Sequence, residues 1–97
     1  MNYEKLFEKI SEENEDKLNF NDILPSEKLH SIQKLCGFLY IASLLKPNER
    51  FEMHAEHDIL YLAGENDMRE LTNEDILYLL RCGIYWDSEF ECLHMWT

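Results

Sequence analysis

A stretch of five residues brings together two imidazoles and two carboxylates. Its order is His54-Ala55-Glu56-His57-Asp58. These side chains can hold zinc or another transition metal, and His94 and Cys92 would be further ligands. On a strand, however, His54 and His57 differ by an odd number and project to opposite faces, so only a turn could bring them together. We predict no metal site and keep a small metal-dependent hydrolase that uses His54, His57 and Asp58 as an alternative.

The three cysteines, Cys36, Cys82 and Cys92, are an odd number with no close pairing. Each lies in an apolar pattern, and burial of Cys36 in the middle of a helix should raise the pKa of its thiol and make it unreactive. We therefore expect reduced, buried thiols and no structural disulfide. The three glycines form no phosphate-binding loop. From these patterns together, we predict neither a catalytic residue nor a cofactor.

Charge is the strongest feature of the composition. Twenty Asp and Glu residues stand against nine Lys and Arg, a net charge of −11. Residues 49–75 hold nine acidic and two basic side chains, whereas residues 23–48 hold one acidic and three basic ones. A negative surface repels nucleic-acid phosphates and anionic membranes, and it attracts a basic protein at long range. The alternative is that the acidic excess only keeps a small protein in solution.

The length and composition fit a single domain that covers residues 1–97. With 45% hydrophobic residues, the chain can bury one core without disulfide support. The longest apolar run, residues 35–45, is too short to span a bilayer, and the N-terminus has no export signal. We therefore expect a cytoplasmic protein.

Two helices are predicted in the N-terminal half. The first has Tyr3, Leu6, Phe7 and Ile10 at helical spacing. The second begins with Ser26 as its N-cap and ends at Lys46-Pro47. One face of this helix contains Leu29, Ile32, Leu35, Cys36, Leu39 and Tyr40. Because this helix is apolar nearly all round from residue 35 onward, it should be enclosed by the first helix and a sheet, or face a second subunit.

After the second helix, the period of the apolar residues changes from about 3.6 to 2, which predicts strands. A hairpin should turn at residues 56–58, and a terminal hairpin should turn at residues 87–89 before a last strand over residues 90–96. Both faces of that last strand are apolar, so it should be interior or meet a partner. Between the hairpins, a helix should run from Asn73 to Cys82, with a Thr72/Asp75 capping box and Gly83 as its stop.

These elements predict an α+β fold, in which two N-terminal helices pack on a small antiparallel sheet of β-β-α-β-β order. We expect most aromatic side chains of the second half to lie in the core.

Three segments of the second half carry a resemblance. They are His57-Asp58-Ile59-Leu60-Tyr61-Leu62, then Leu71-Thr72-Asn73-Glu74-Asp75, then Gly83 followed by Ile84-Tyr85-Trp86-Asp87-Ser88-Glu89-Phe90. This pattern covers roughly the last 40 residues and resembles a group of small, acidic, phage-encoded proteins. The resemblance implies an inhibitor of a host defence or restriction system in the host cytoplasm. It carries no functional residue over to this chain.

The expected function is therefore that of a non-enzymatic binding protein, an inhibitor of a host defence or nucleic-acid-processing protein, with nucleic-acid mimicry as one form of it. Trp86 and Trp96 should lie at the centre of the interface, because Trp dominates binding hot spots. Its acidic rim should consist of Glu49, Glu52, Glu56, Asp58, Glu65, Asp67 and Glu70. A homo-oligomer that uses the apolar helix and the last strand stays open as a further alternative.

Overall fold

The computed structural model describes residues 2–47 and 54–96, in which three α-helices pack on one side of a four-stranded antiparallel sheet. The helices are α1 (Tyr3–Glu13), α2 (Gln33–Leu44) and α3 (Asn73–Arg81). The strands are β1 (His54–Glu56), β2 (Ile59–Gly64), β3 (Ile84–Asp87) and β4 (Cys92–Trp96). The predicted α+β class is confirmed. The detailed arrangement differs from the prediction in the start of α2 and in several short 3₁₀ turns that lie between the elements.

The first helix has the predicted apolar face. The side chain of Asn2 caps it by accepting a hydrogen bond from the backbone N–H of Lys5 at 3.1 Å. Tyr3, Phe7 and Ile10 are buried, and the helix packs against α3 and β3. Its spacing of apolar residues was therefore sufficient to identify its inward side.

The second helix begins at Gln33 and not after Ser26, so the predicted start is wrong. Ser26 lies in a 3₁₀ turn, Pro25–Glu27. The backbone that follows bonds to a side chain from another element. The Tyr78 hydroxyl donates to the carbonyl of Glu27 at 2.8 Å and accepts from the N–H of Leu29 at 3.2 Å. Because these groups are satisfied by Tyr78, the backbone has no need to continue as a helix there.

The enclosure of the second half of α2 within this chain, one of the two predicted arrangements, is also wrong. Leu29, Ile32, Leu35 and Leu39 are between 41 and 55% exposed. The buried residues are Cys36, Gly37, Ile41 and Leu44. Gly37 explains the rotation, since a Cβ atom there would lie 2.7 Å from Cδ1 of Ile84. The absence of a side chain lets α2 approach the core on its Gly37 side, which leaves the leucines facing outward.

The third helix confirms its sequence signature. The Thr72 side chain accepts from the N–H of Asp75 at 3.1 Å, and the Asp75 carboxylate accepts from the N–H of Thr72 at 2.8 Å. Gly83 follows the helix at φ +79°, a left-handed conformation that favours glycine. The local capping rules therefore determined both ends of α3 to within one residue.

The strands lie in the order β1-β2-β4-β3. Both predicted hairpins are present, and β4 is an interior strand, as its apolar faces indicated. The predicted start of the last strand at Phe90 is wrong, because Phe90 lies in the turn and β4 begins at Cys92. The carboxylate of Asp87 extends this turn by accepting from the N–H groups of Glu89 and Phe90.

Two further features of the described residues bear on the predictions. Cys36, Cys82 and Cys92 are free and buried, as expected. No helix within residues 2–47 and 54–96 has the length and apolar character needed to cross a membrane.

Candidate functional site

The face of the sheet that points away from the helices carries most of the exposed aromatic side chains. Leu93 and Met95 of β4 are buried in the core, so the residues that alternate with them point to the opposite side. We call this side the outer sheet face. The strand pairing places on it His54, Glu56, Ile59, Tyr61, Tyr85, Asp87, Cys92, His94 and Trp96.

One row of rings crosses all four strands of the outer sheet face. His54 pairs with Tyr61, Tyr61 pairs with His94, and His94 pairs with Tyr85. The rings of His54 and Tyr61 stack with their centroids 6.3 Å apart, and those of Tyr85 and His94 lie 5.9 Å apart. The row therefore extends across the width of the sheet.

Two more aromatic residues extend this row. Phe90 packs edge-on against Tyr61 at 4.9 Å, and Trp96 packs edge-on against His94 at 6.5 Å. Tyr85, Phe90 and Trp96 remain 43 to 59% exposed. The expectation that most aromatics of the second half lie in the core is therefore wrong, because these three are exposed and the remainder are only partly buried. Those partly buried aromatic residues are Tyr61, Tyr78 and Trp86.

Three carboxylates lie close enough to Tyr61 on the outer sheet face to affect its hydroxyl. Burial and then the negative charges of Asp87, Glu56 and Glu89 raise the pKa of the Tyr61 hydroxyl above its ordinary value. Glu56 pairs with Ile59, which pairs in turn with Trp96. The predicted rim residue Glu56 and the predicted anchor Trp96 therefore lie in one row of the same face.

The imidazole of His94 has one unsatisfied atom. Its Nδ1 is buried and has no hydrogen-bond partner. The His94 ring packs against the rings of Tyr85 and Trp96. Burial of its Nδ1 without a partner lowers the stability of the folded protein.

Trp86, the second predicted anchor, lies on the other side of the sheet. Its ring packs against Tyr3 and Phe7 of α1, with centroids 5.1 and 6.1 Å apart. It also lines an acidic cleft of about 350 Å³, formed by Asn2, Tyr3, Glu4, Glu65, Trp86, Ser88 and Glu91. The structure thus brings Trp86 together with the predicted rim residue Glu65, but it places both apart from Trp96.

The other predicted rim residues lie on separate segments where the structure describes them. Glu49 and Glu52 lie outside the described residues. Asp58 lies in the turn between β1 and β2, and Glu70 is exposed in the segment before α3. The Asp67 carboxylate stabilises the turn after β2, because it accepts a hydrogen bond from the N–H of Gly64 at 3.0 Å. The predicted rim residues are therefore not one continuous patch in the described part of the chain.

The residues of the alternative metal site do not form a cluster. His54 lies on β1, whereas His57 occupies the turn with φ +56°. Within the described residues, no group of three or more His, Cys, Asp or Glu side chains could hold a metal ion together.

The cysteine thiols differ in their acidity. Burial raises the pKa of both Cys82 and Cys92. Burial also opposes ionisation of Cys36, but its hydrogen bond with the Tyr78 hydroxyl at 3.2 Å helps to hold its pKa below the ordinary value, so the predicted rise in the pKa of Cys36 is wrong. Cys36 is nevertheless fully buried, so none of the three thiols is placed to meet a substrate.

A buried carboxylate forms a network that sequence reasoning did not identify. Asp75 is 4% exposed and accepts from both terminal nitrogens of Arg69, at 2.7 and 3.1 Å, and from the Tyr40 hydroxyl at 2.6 Å. Burial opposes its ionisation, but the Arg69, Thr72 and Tyr40 bonds lower the pKa of Asp75 to about 2. All its partners are internal, so this network holds α2 and α3 together and offers no open position for a ligand.

Sequence reasoning also missed Tyr61, Tyr85, Phe90 and His94 as members of a surface. The signal was the alternation in β4, where Cys92, His94 and Trp96 share a side. Only the pairing of β4 with β2 and β3 shows which rings stand beside them.

Comparisons with protein-family models, with curated proteins and with solved structures found no match to this chain. The function is therefore inferred from the chain's own residues and their arrangement.

Proposed function

We propose that this protein is a non-enzymatic binding protein that engages a protein partner with a basic surface through its outer sheet face. The observation that carries the proposal is the exposure of Tyr85, Phe90 and Trp96 together on one aromatic surface. Exposed aromatic patches of this kind are costly in water and mark interaction sites.

The composition of the outer sheet face fits a protein interface. Buried Trp and Tyr side chains contribute most of the binding energy in such interfaces, and polar residues surround them. Here Trp96 and Tyr85 supply the anchors, and Glu56, Asp87 and Glu89 supply the rim. The rigid sheet holds these side chains in place before binding, which lowers the entropy lost on association.

The charge of the rim selects the partner. Single-stranded nucleic acids also stack on aromatic surfaces, but they need a basic groove for their phosphates. The acidic rim and the net charge of −11 repel those phosphates and attract Lys and Arg side chains. A protein with a basic surface is therefore the ligand class that suits both features.

The resemblance to small, acidic, phage-encoded proteins adds a biological role to this proposal. Basic surfaces are common on proteins that bind nucleic acids, and a protein that covers such a surface blocks it. The proposed role is inhibition of a host defence or nucleic-acid-processing protein in the host cytoplasm, with nucleic-acid mimicry as one form of it.

A capture experiment with matched variants tests the proposal. The tagged protein is incubated with bacterial cytosol at low and at high salt, and captured proteins are identified by mass spectrometry. A basic protein should be captured at low salt and released at high salt, because screening weakens the rim contacts. Trp96→Ala and Glu56→Lys should each reduce its capture by about tenfold or more.

The control is Glu13→Lys, which changes the net charge by the same amount at the exposed end of α1, beside Glu74 and Leu77 of α3. It should retain most of the capture, because it lies against α3 and not on the outer sheet face. If Glu13→Lys and Glu56→Lys reduced capture equally while Trp96→Ala had no effect, binding would depend on overall charge and the proposed surface would be wrong.

A further inference from the structure

The exposed side of α2 is apolar and lies apart from the outer sheet face. Ile32, Leu35, Leu39 and Ala42 are all exposed, and their spacing of three, four and three residues places them in one stripe along the helix. We call these four residues the α2 stripe. Leu29, which is also exposed, comes three residues before it.

The α2 stripe differs in charge from the surfaces of the other helices. The α2 sequence, QKLCGFLYIASL, contains no acidic residue and one basic residue, Lys34. The exposed side of α1, by contrast, carries Glu4, Glu8, Glu12 and Glu13 beside Lys5 and Lys9. Two molecules with a net charge of −11 each repel one another, and the α2 stripe itself adds no carboxylate to a contact between them.

From this stripe we infer that the protein forms a two-fold symmetric homodimer in which the α2 helices of two copies pack antiparallel. The spacing of the α2 stripe is that of the apolar residues by which two helices pair. The side chains at its two ends differ in size. Ile32 and Leu35 are large, whereas Ala42 at the other end is small. Antiparallel pairing sets Ile32 against Ala42 of the second copy, a large side chain against a small one, and Leu35 against its Leu39 at the centre.

The second copy is favoured over an unrelated partner because one surface satisfies both sides of a two-fold contact. The buried sides of the two helices remain in their own cores through Cys36, Gly37 and Ile41. The outer sheet face remains uncovered, since the helices pack on the opposite side of the sheet. A helix of 12 residues is about 18 Å long, which is short for a stable interface, so the dimer should depend on concentration.

Sedimentation velocity over a concentration series tests the dimer. The mass should rise from 11.7 kDa towards twice that value as the protein concentration rises. Added salt should strengthen the dimer, because it screens the repulsion between two acidic molecules. This response is opposite to the one expected for binding of a basic protein by the outer sheet face, so the two proposals can fail separately.

Variants locate the interface. Leu35→Glu and Leu39→Glu should each raise the dissociation constant of the dimer by about tenfold or more, because they place charges at its centre. Both residues are exposed in the monomer, and circular dichroism checks that the variants fold. The control, Trp96→Glu on the outer sheet face, should dimerise like the parent.

Cysteine cross-linking tests the antiparallel arrangement. The Ile32→Cys protein is mixed with the Ala42→Cys protein under oxidised glutathione, and the disulfide-linked pairs are weighed by mass spectrometry. Mixed pairs should dominate, since residue 32 of one copy lies beside residue 42 of the other. The inference is overturned by a monomeric mass at every concentration or by a dimer that only Trp96→Glu abolishes. In the cross-linking experiment, it is overturned if the dominant product is a disulfide-linked pair of two Ile32→Cys molecules.

Discussion

At the scale of single residues, Asp75 is the one charged side chain that is buried in the described part of the chain. It is nearly buried, yet it is ionised, because Arg69 and Tyr40 bind its oxygens and the N–H of Thr72 contributes a further bond. The pKa of Asp75 falls from 3.8 to about 2. A carboxyl with a lower pKa in the folded state stabilises that state at pH values above its unfolded pKa.

The Asp75 carboxylate should therefore make stability depend on pH. Its contribution is complete above about pH 4 and is lost as the pH falls from about 4 to about 2, a total of about 2 kcal/mol. Urea denaturation of the parent and of Asp75→Asn at pH 6 and at pH 3 measures it. The free-energy difference between the two proteins should shrink at the lower pH.

The control for this measurement is Glu74→Gln, which removes one exposed carboxylate from the same helical turn. Its free-energy difference from the parent should be small at both pH values. A difference between Asp75→Asn and the parent that stayed constant from pH 6 to pH 3 would show that the charge of Asp75 does not contribute.

His94 leads to a second prediction at this scale. His94→Phe keeps a ring between Tyr85 and Trp96 and removes the buried Nδ1 that has no partner. The free energy of unfolding should rise by up to about 1 kcal/mol, because the desolvation cost of that atom disappears. His54→Phe, at an exposed position of the same row, should change it little. A loss of stability in His94→Phe alone would show that the imidazole makes a polar contact.

At the scale of elements, the position of α2 depends on the missing side chain at Gly37. A Cβ atom there would lie 2.7 Å from Cδ1 of Ile84 and 3.2 Å from Cβ of Cys82. The first distance is shorter than packed Cβ atoms show, the second is tighter than most such contacts, and Ile84 is fully buried. The contact surface between α2 and the core therefore favours glycine, although glycine weakens a helix.

Gly37→Ala tests this account. The substitution gains about 1 kcal/mol of helix propensity but overpacks the core by about 1–3 kcal/mol, so the protein should become less stable on balance. Ile84→Val removes the Cδ1 atom that the new methyl group would meet. In a double-mutant cycle by urea denaturation, the double variant should lose less stability than the sum of the single losses. Additive losses would show that Ile84 does not limit the approach of α2.

At the scale of the whole molecule, the net charge of −11 acts against the compact state. Like charges held on one small surface repel one another, and salt screens this repulsion over distances of about 10 Å. The charge is also uneven, since residues 23–48 are slightly basic and the remainder is strongly acidic. In the folded protein, the outer sheet face carries Glu56 and Asp87, whereas the α2 stripe carries no carboxylate.

Stability should therefore rise with salt. The midpoint of thermal unfolding should increase between low and moderate sodium chloride concentrations, as measured by circular dichroism. The variant Glu8→Lys/Glu12→Lys, in which two charge reversals bring the net charge from −11 to −7, should show a smaller increase. Both side chains are exposed on α1. A midpoint that fell with salt in the parent would show that attractive ion pairs outweigh the repulsion.

The amino-acid sequence alone determined the features that depend on neighbouring residues. The ends of α3 follow from the Thr72/Asp75 capping box and Gly83, and the inward face of α1 follows from its helical spacing. The two hairpins follow from the alternation of apolar residues and the polar turns between them. These signals lie within a few residues of the structures they specify, so they can be interpreted without knowledge of the fold.

Only the tertiary structure decided the features that depend on distant residues. The Tyr78 hydroxyl bonds to the backbone of Glu27 and Leu29, so α2 begins only at Gln33. The close approach of Gly37 to Ile84 turns the leucines of α2 outward. The pairing of β4 with β2 and β3 gathers the aromatic rings on one face and places Trp86 on the other. Each of these outcomes is set by packing between segments far apart in the chain, where the local pattern is compatible with more than one arrangement.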